Sequence, residues 1–185
     1  MKIRSQLSNY NNSWYKPGAS KLKIGLWYFT NLLIFQSGLF PINGLKIALL
    51  KSFGAKLGKG IVIKARVNIK YPWNLKIGDH CWIGEGAWID NLAFVTIGDH
   101  VCLSQGAMLL TGNHNYKKSS FDLMIGEIIL EEGVWIGAHA IVSPGVSCFS
   151  HAVLSVNSVA TRDLESYTIY QGNPAQKVKE RIIEI

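Results

Sequence analysis

The sequence is short of the residues that would indicate disorder or a disulfide framework. Charged residues make up 17% of its 185 positions and hydrophobic residues 48%, which argues against a disordered chain. Its length leaves room for one domain with a hydrophobic core. The three cysteines, Cys81, Cys102 and Cys148, are an odd set without CxxC spacing. We therefore expect free thiols in a reducing compartment.

The sequence also shows no signal peptide and no spanning segment. Its N-terminal residues are polar, and the apolar run from Ile24 to Phe35, which Thr30 and Asn31 interrupt, is shorter than the roughly 20 residues of a spanning helix. The formal net charge is +7, but the basic residues are scattered, which disfavours nucleic acid as a partner. We expect a cytoplasmic protein, with peripheral contact at the inner face of the membrane as an option.

A six-residue repeat organises most of the chain. It reads Ile77-Gly-Asp-His-Cys-Trp, Ile83-Gly-Glu-Gly-Ala-Trp and, after a short interruption, Ile97-Gly-Asp-His-Val-Cys and Leu103-Ser-Gln-Gly-Ala-Met. The first position of each hexad and the fifth position of the hexad before it are apolar and two residues apart, which is the alternation of a β-strand. The second position is often glycine, which suits a tight bend.

The repeat slips after every third hexad. The steps from Ile69 to Ile77 and from Ile89 to Ile97 span eight residues, and the step from Leu109 to Leu130 spans twenty-one. If three hexads make one coil, all three insertions leave from the same corner. The spacing therefore predicts a three-sided parallel β-solenoid with coils about 4.8 Å apart, and it leaves the handedness open.

Residues 1–56 do not follow the repeat. Asn43 to Gly54 predicts a capped amphipathic helix, and the aromatic stretch from Leu26 to Phe29 predicts a second one. We expect this segment to cover the open end of a solenoid over residues 57–170. The alternative is that residues 16–51 contact the membrane surface, helped by Lys16, Lys21, Lys23, Lys46 and Lys51.

Residues 171–185 follow the last hexads. Gly172 to Ala175 predicts a turn, and the residues from Gln176 onward predict a short C-terminal helix. Its apolar face would carry Val178, Ile182 and Ile185.

Histidine phase separates one candidate from the rest. Four histidines occupy the fourth position of their hexads, beside the bends, and are interpreted as solvated turn residues: His80, His100, His139 and His151. His114 is out of phase, at the start of the long insertion 113–129, and an insertion of this length in a tight solenoid is usually functional. A neutral imidazole there can act as general base for a hydroxyl that attacks a thioester. No residue stands in a recognisable nucleophile elbow, which favours direct transfer.

Other side chains lie near this position or share an outward phase. If the corners align, Asp90 and Asn91 lie one coil below the insertion, where they would bind substrate or orient the imidazole. The alternative is that both are ordinary turn residues. Trp82, Trp88 and Trp135 share an outward phase and predict a subunit interface or a ligand wall.

These motifs resemble those of the hexapeptide-repeat acyltransferases, within them the galactoside/maltose O-acetyltransferase branch, and within that the colanic-acid-biosynthesis type. The resemblance covers about residues 54–176. The residues that carry it are Phe53-Gly-Ala, Pro72-Trp73, Ile83-Gly, Leu103-Ser-Gln, Thr111-Gly-Asn-His-Asn-Tyr116, Trp135-Ile-Gly, Pro144-Gly-Val146, Ser158-Val159 and Gly172-Asn-Pro-Ala175.

The resemblance implies a mainly β fold, a left-handed parallel β-helix, and an acetyl-CoA-dependent O-acetyltransferase that acts on a sugar hydroxyl in exopolysaccharide or other surface-glycan synthesis. It implies a homotrimer with sites between subunits, His114 as catalytic base, and a small-molecule or lipid-linked sugar as acceptor. The residues expected to bind the acceptor are Asp90, Asn91, Asn113 and Tyr116. Those expected along acetyl-CoA are Trp135, Ala138, Val156, Thr161, Arg162 and Lys179. The His-Asp pair usual in the family is His114-Asn115 here.

Two other functions remain as alternatives. One is a zinc enzyme of the γ-carbonic-anhydrase type, which shares this fold and binds zinc with three histidines, two of them five residues apart. The histidine gaps here are 20, 14, 25 and 12, so this pair is missing and no metal is expected. The other is a non-catalytic β-helix used for binding, in which the His114 insertion would have no purpose.

Overall fold

Three parallel sheets, one on each side of a triangular coil, form the body of the computed structural model, which describes residues 3–184. Side A contains β1 (Lys56–Leu57), β4 (Leu75–Ile77), β7 (Val95–Ile97), β12 (Ile128–Leu130) and β15 (Ser147–Cys148). Side B contains β2 (Val62–Ile63), β5 (Trp82–Ile83), β8 (Cys102–Leu103), β13 (Trp135–Ile136), β16 (Val153–Leu154) and the terminal strands β18 (Thr168–Gly172) and β19 (Ala175–Glu180). Side C contains β3 (Asn68–Ile69), β6 (Trp88–Asp90), β9 (Met108–Leu110), β14 (Ile141–Val142) and β17 (Val159–Ala160).

The first position of each hexad stacks directly on its equivalent in the next coil. On side A, Leu57 pairs with Ile77 and Ile77 with Ile97, and the other two sides repeat this register. These side chains and the small residues at the fifth position point inward, and nearly all are fully buried. The three-sided parallel β-solenoid predicted from the spacing is confirmed.

The four in-phase histidines lie at the corners, as interpreted from the sequence. Each has a left-handed backbone, with φ between 54° and 61°. His80 stacks on His100 with ring centroids 5.3 Å apart. Below them, a Cβ added to Gly60 would lie 2.4 Å from the His80 ring, so glycine leaves the space that the imidazole fills.

Two helices and a π-helical extension lie against the first coil. They are α1 (Lys21–Thr30), which continues as a π-helix (Asn31–Gln36), and α2 (Asn43–Ser52); short 3-10 helices occupy Leu7–Asn9 and Pro72–Asn74. Trp27, Phe35 and Leu50 are buried on the coil, and the indole N–H of Trp27 donates to the Ile69 carbonyl at 2.8 Å. Between residues 3 and 184, no helix has the length and apolarity to cross a bilayer.

Two of the five lysines expected to help a membrane contact are committed elsewhere. Lys46 is buried, and its ammonium donates to the carbonyl of Lys64 at 2.7 Å. The Lys23 ammonium lies over the Trp73 ring at 5.0 Å. That part of the prediction is wrong, because both side chains fold back onto the first coil.

The predicted C-terminal helix is also wrong. Residues Ala175–Glu180 form β19, which pairs antiparallel with β18. The open edge of β18 offers backbone partners, whereas an isolated helix of about ten residues is marginal in water. Val178 and Ile182 are exposed rather than packed, and Ile185 lies outside the described residues.

Candidate active site

His114 lies on a hairpin that leaves the corner between sides C and A. Its strands are β10 (Gly112–His114) and β11 (Leu123–Ile125), with His114 opposite Leu123. The loop is tied across its base, because Asn115 N–H donates to the Asp122 carbonyl at 2.8 Å and Lys118 pairs with the Asp122 carboxylate at 3.1 Å. The predicted insertion is therefore an ordered element.

The hairpin fixes the tautomer of the imidazole. Nδ1 of His114 lies 2.9 Å from the carbonyl oxygen of Phe121, and a carbonyl can only accept, so Nδ1 carries the proton. Nε2 is then left with its lone pair, which is the form that a general base requires. The Phe121 ring stacks on the imidazole with centroids 4.5 Å apart and planes 9° apart.

The backbone of Phe121 is strained. Its φ is +55°, a left-handed conformation that costs a bulky residue about 1–2 kcal/mol. This conformation turns the Phe121 carbonyl toward Nδ1 while the ring covers the imidazole.

A cavity of about 350 Å³ opens beside His114, lined by Leu7, Tyr10, His114 and Phe121. Gln6 N–H donates to the Ser119 carbonyl at 2.7 Å, and the Tyr10 ring lies 5.7 Å from the imidazole. The N-terminal segment thus forms one wall of the pocket. Sequence reasoning named neither Tyr10 nor Phe121, because neither belongs to the repeat.

Asp90 and Asn91 lie one coil below the hairpin, where the spacing places them. Asp90 pairs in register with Leu110, and the Thr111 hydroxyl donates to the Asp90 carbonyl at 2.8 Å. The Asp90 side chain is 16% exposed, and its carboxylate lies 2.9 Å from the Lys70 ammonium. It faces a cavity of about 300 Å³ whose other walls include aromatic side chains of α1 and side C.

Asn91 does not face that cavity. It is 0% exposed; its side-chain oxygen accepts from Tyr71 N–H at 2.9 Å, and its amide donates to the carbonyls of Tyr71 at 2.6 Å and Asn74 at 3.2 Å. The expectation that Asn91 contacts substrate is not supported. Its side chain replaces missing backbone partners where the corner bends, which is the role of a turn residue.

Two further residues expected at the acceptor flank His114. The Asn113 side-chain oxygen accepts from the His114 N–H at 2.7 Å. Tyr116 stands on the loop with 76% of its surface exposed. Both lie on the hairpin, within a few residues of the imidazole.

Side B carries a groove centred on Trp135. Its indole N–H donates to the Ser104 hydroxyl at 2.9 Å. One cavity of about 500 Å³ is lined by Trp135, Ala138 and Val156 among others. A neighbouring cavity of about 510 Å³ shares Ser104 and Trp135 and extends to Trp82. Three residues expected along acetyl-CoA therefore line one groove.

The other three expected cofactor residues are not among those that line that cavity. Thr161 and Arg162 follow β17 at the end of side C, and Arg162 hydrogen-bonds the Gln176 side chain. Lys179 stands opposite Ile169 in the terminal hairpin. All three are exposed.

The three outward tryptophans do not form one surface. Trp82 and Trp135 lie on side B, whereas Trp88 lies on side C. All three are exposed to solvent in the single chain. Their shared position in the hexad predicts that the side chains point outward. It does not predict a shared surface, because successive hexads lie on different sides of the coil.

The cysteines are poor nucleophiles. Burial raises the pKa of the Cys81 thiol to about 11 and that of Cys148 to about 12, and it also raises the pKa of Cys102. At neutral pH these thiols are protonated, and the thiolate is the reactive form. In the part of the chain that the structure describes, no three His, Cys, Asp or Glu side chains cluster as metal ligands do.

His114 and the Trp135 groove lie on different parts of the triangle. The hairpin leaves the corner between sides C and A, and Trp135 lies on side B. In a three-sided coil, that corner is opposite side B. Within a single chain, the imidazole and the groove therefore lie apart.

No protein-family model matches the chain. Among curated proteins, it is 33% identical over 165 residues to the putative colanic acid biosynthesis acetyltransferase WcaF of Escherichia coli K12, covering 89% of this chain and 91% of that protein. It is 26% identical over 136 residues to the galactoside O-acetyltransferase of the same organism, covering 72% and 67% of the two chains.

Solved structures with the same fold include two acetyltransferases. The hexapeptide-repeat acetyltransferase VCA0836 of Vibrio cholerae, complexed with acetyl coenzyme A, superposes with a TM-score of 0.80 at 23% identity, over 90% of this chain and 92% of that one. A maltose O-acetyltransferase from Clostridium difficile 630 superposes with a TM-score of 0.75 at 19% identity, over 89% and 90%.

Proposed function

The chain belongs to the hexapeptide-repeat acetyltransferases, in the family of the colanic acid biosynthesis acetyltransferase WcaF, and we propose that it transfers the acetyl group of acetyl-CoA to a sugar hydroxyl. The acceptor is a cytoplasmic precursor of an exopolysaccharide or other surface glycan, free or lipid-linked. Relatives named for colanic acid biosynthesis and for galactoside acetylation support this acceptor class.

One observation carries the mechanism: the Phe121 carbonyl holds the His114 proton on Nδ1 at 2.9 Å. Nε2 accepts the proton of the acceptor hydroxyl while the hydroxyl oxygen bonds to the carbonyl carbon of the thioester. The tetrahedral intermediate then expels the CoA sulfur, and the imidazolium returns the proton to that sulfur. The products are the O-acetyl sugar and CoA, with the neutral imidazole restored.

Direct transfer fits the surroundings of the site better than a covalent intermediate. Cys102 lines the side-B groove, and burial raises the pKa of its thiol. It lies beside Ser104 on side B, away from the His114 hairpin. A ternary complex of both substrates follows from this mechanism.

The side-B groove suits the pantetheine part of acetyl-CoA. Trp135, Ala138 and Val156 supply an apolar wall, and the Trp135 indole is held in place by its bond to Ser104 at 2.9 Å. Thr161, Arg162 and Lys179 lie beyond this wall, near the terminal hairpin. Arg162 and Lys179 supply the positive charge that the CoA phosphates require.

A homotrimer explains why one chain separates its base from its groove. A second copy that places its His114 hairpin against side B completes one site, and a third copy closes the ring. In each site, the imidazole comes from one subunit and the Trp135 wall from its neighbour. The sugar then meets His114 between Asp90, Asn113 and Tyr116, whose polar atoms can hydrogen-bond its hydroxyls.

The test is thiol release from acetyl-CoA across an array of oligosaccharide acceptors, with mass spectrometry of the acetylated product. We expect turnover with sugar hydroxyls and none after the His114→Ala substitution. Full activity of His114→Ala would contradict the mechanism. Failure to bind CoA in a calorimetric titration would contradict the reaction, and stoichiometric zinc that tracks with activity would favour a metalloenzyme.

A further inference from the structure

The charges of this chain are divided sharply along its length. Residues 1–78 contain eleven lysines and two arginines but no aspartate or glutamate. All twelve acidic residues lie at position 79 or later, accompanied by six basic ones. The net charge of +7 therefore hides a strongly basic first part and an acidic remainder.

The same first part exposes a large apolar surface, here called the basal face. Along α1 and its π-helical extension, Leu22, Leu26, Phe29 and Leu33 follow one another at helical spacing on the side opposite the buried Trp27. Leu22 is 73% exposed and Phe29 61%. The basal face continues through Leu32, Leu39, Phe40, Ile42 and Leu45, all exposed.

The basal face exposes an unusual amount of apolar surface to water. Contiguous apolar patches of this kind on a water-exposed helix mark an interaction site. It lies at the N-terminal end of the solenoid, because the helices cover the first coil. None of its residues lines the side-B groove or the cavity beside His114.

Exposed lysines lie at the start of α1 and at the end of α2, the helices that carry the basal face. Lys16, Lys21, Lys51 and Lys56 are exposed, and within residues 3–184 none of them forms an ion pair with a carboxylate. Free ammonium groups around an apolar helix face are the arrangement of interfacial membrane helices.

We propose that the basal face docks on an anionic lipid bilayer, with its leucines and phenylalanines among the acyl chains and its lysines at the headgroups. The surface of the cytoplasmic leaflet is negative, and each lysine near it contributes about 1 kcal/mol. A second copy that packed its own basal face on this one fits less well, because two basic surfaces would then meet. The helices lie in the interface plane, since none has the length to span the bilayer in residues 3–184.

Flotation of the full-length protein with lipid vesicles tests the proposal. The vesicles are phosphatidylcholine alone or phosphatidylcholine with about one third phosphatidylglycerol. We expect binding to the anionic vesicles that weakens as salt is raised, and little binding to the neutral ones. No binding to anionic vesicles at low salt would overturn the proposal.

Two variants separate the apolar and electrostatic contributions. We expect Leu22→Glu with Phe29→Glu, and Lys21→Glu with Lys51→Glu, each to lower the vesicle partition coefficient about tenfold or more. The matched controls are Ile182→Glu with Ile183→Glu, which are exposed at the other end of the chain, and Lys76→Glu, exposed on side A.

The controls and one further outcome make the test decisive. Thermal unfolding and thiol release must stay at wild-type values in every variant, because all the substituted residues are exposed and outside the catalytic machinery. An equal loss of vesicle binding in the control variants would overturn the proposal. It would also fail if the protein formed large assemblies that Leu22→Glu with Phe29→Glu dissolved, without any vesicle binding, because the basal face would then join copies of this chain.

Discussion

The Phe121 carbonyl accepts a hydrogen bond from Nδ1 of His114 at 2.9 Å, while the two rings stack at 4.5 Å. A single residue thus sets both the tautomer and the orientation of the imidazole. In many enzymes a carboxylate performs this task, whereas the chain here uses a backbone oxygen. The neighbour of His114 is Asn115, whose side-chain oxygen accepts from the Lys117 N–H at 3.1 Å.

The first prediction concerns the proton that His114 accepts. An asparagine at this position can donate to the Phe121 carbonyl through its amide but cannot act as a base. We expect His114→Asn to lower kcat about 10²- to 10⁴-fold and to leave acetyl-CoA binding unchanged by calorimetry. His100→Asn, at a corner histidine with a left-handed backbone, serves as the control and should retain full activity.

A second prediction separates the ring of Phe121 from its carbonyl. Phe121→Gly keeps the carbonyl and relieves the strain of φ +55°, but it removes the ring that covers the imidazole. We expect kcat to fall about tenfold, the loss that one stacked pair accounts for, with an unchanged KM for acetyl-CoA and unchanged or higher thermal stability.

Tyr167→Gly is the matched control for Phe121→Gly. Tyr167 is also aromatic, has φ +51° and stacks on His151 at 4.7 Å, far from His114 in the fold. It should leave kcat at the wild-type value. If both substitutions lowered kcat equally, the ring of Phe121 would have no specific role.

The third prediction concerns the side-B groove. Trp135→Ala removes the aromatic wall that Ser104 holds in place, and we expect the KM for acetyl-CoA to rise about tenfold with a smaller change in the KM for the sugar. Trp88→Ala, on side C beside Asp90, should raise the KM for the sugar more than the KM for acetyl-CoA. Steady-state kinetics with each substrate varied in turn distinguishes them.

A fourth prediction contrasts two adjacent residues. Asn91→Ala leaves the part-buried N–H of Tyr71 and the carbonyl of Asn74 without the Asn91 side chain as partner, and the Tyr71 carbonyl keeps only its bond from the Asn74 N–H. We expect a loss of about 2 kcal/mol in the free energy of unfolding, measured by urea denaturation. Asp90→Asn should cost about 1 kcal/mol and instead raise the KM for the acceptor. If Asn91→Ala instead raised the KM for the acceptor and left the free energy of unfolding unchanged, Asn91 would belong to the substrate site.

The fifth prediction follows from the buried thiol of Cys148. Burial raises its pKa from 9.0 to about 12 in the folded chain, so the thiol ionises first in the unfolded chain. Its stabilising contribution is complete below pH 9 and declines by about 1.4 kcal/mol per pH unit as the pH rises from 9 toward 12. Cys148→Ala should flatten the fall of the urea midpoint over this range, and Cys102→Ala, at a half-exposed site, should flatten it less.

The sequence by itself determined the solenoid and its corners. Each hexad buries its first and fifth positions through local strand alternation, so the period alone predicted which residues stack, such as Ile77 on Leu57 and Asp90 beneath the insertion. Phase also distinguished His114 from the corner histidines, because a corner in the left-handed conformation recurs at fixed spacing. These features depend on neighbours in the repeat and are readable from it.

Only the tertiary structure decided what surrounds His114 and what covers the ends. Tyr10 reaches the imidazole from a distant part of the chain, and Phe121 approaches it through a backbone angle that no residue pattern announces. Asn91 is buried and bonded to a different coil, and Val178 joins a strand because the edge of β18 was open. In each case, the partner that fixes the residue comes from outside its own hexad, so the period carried no information about it.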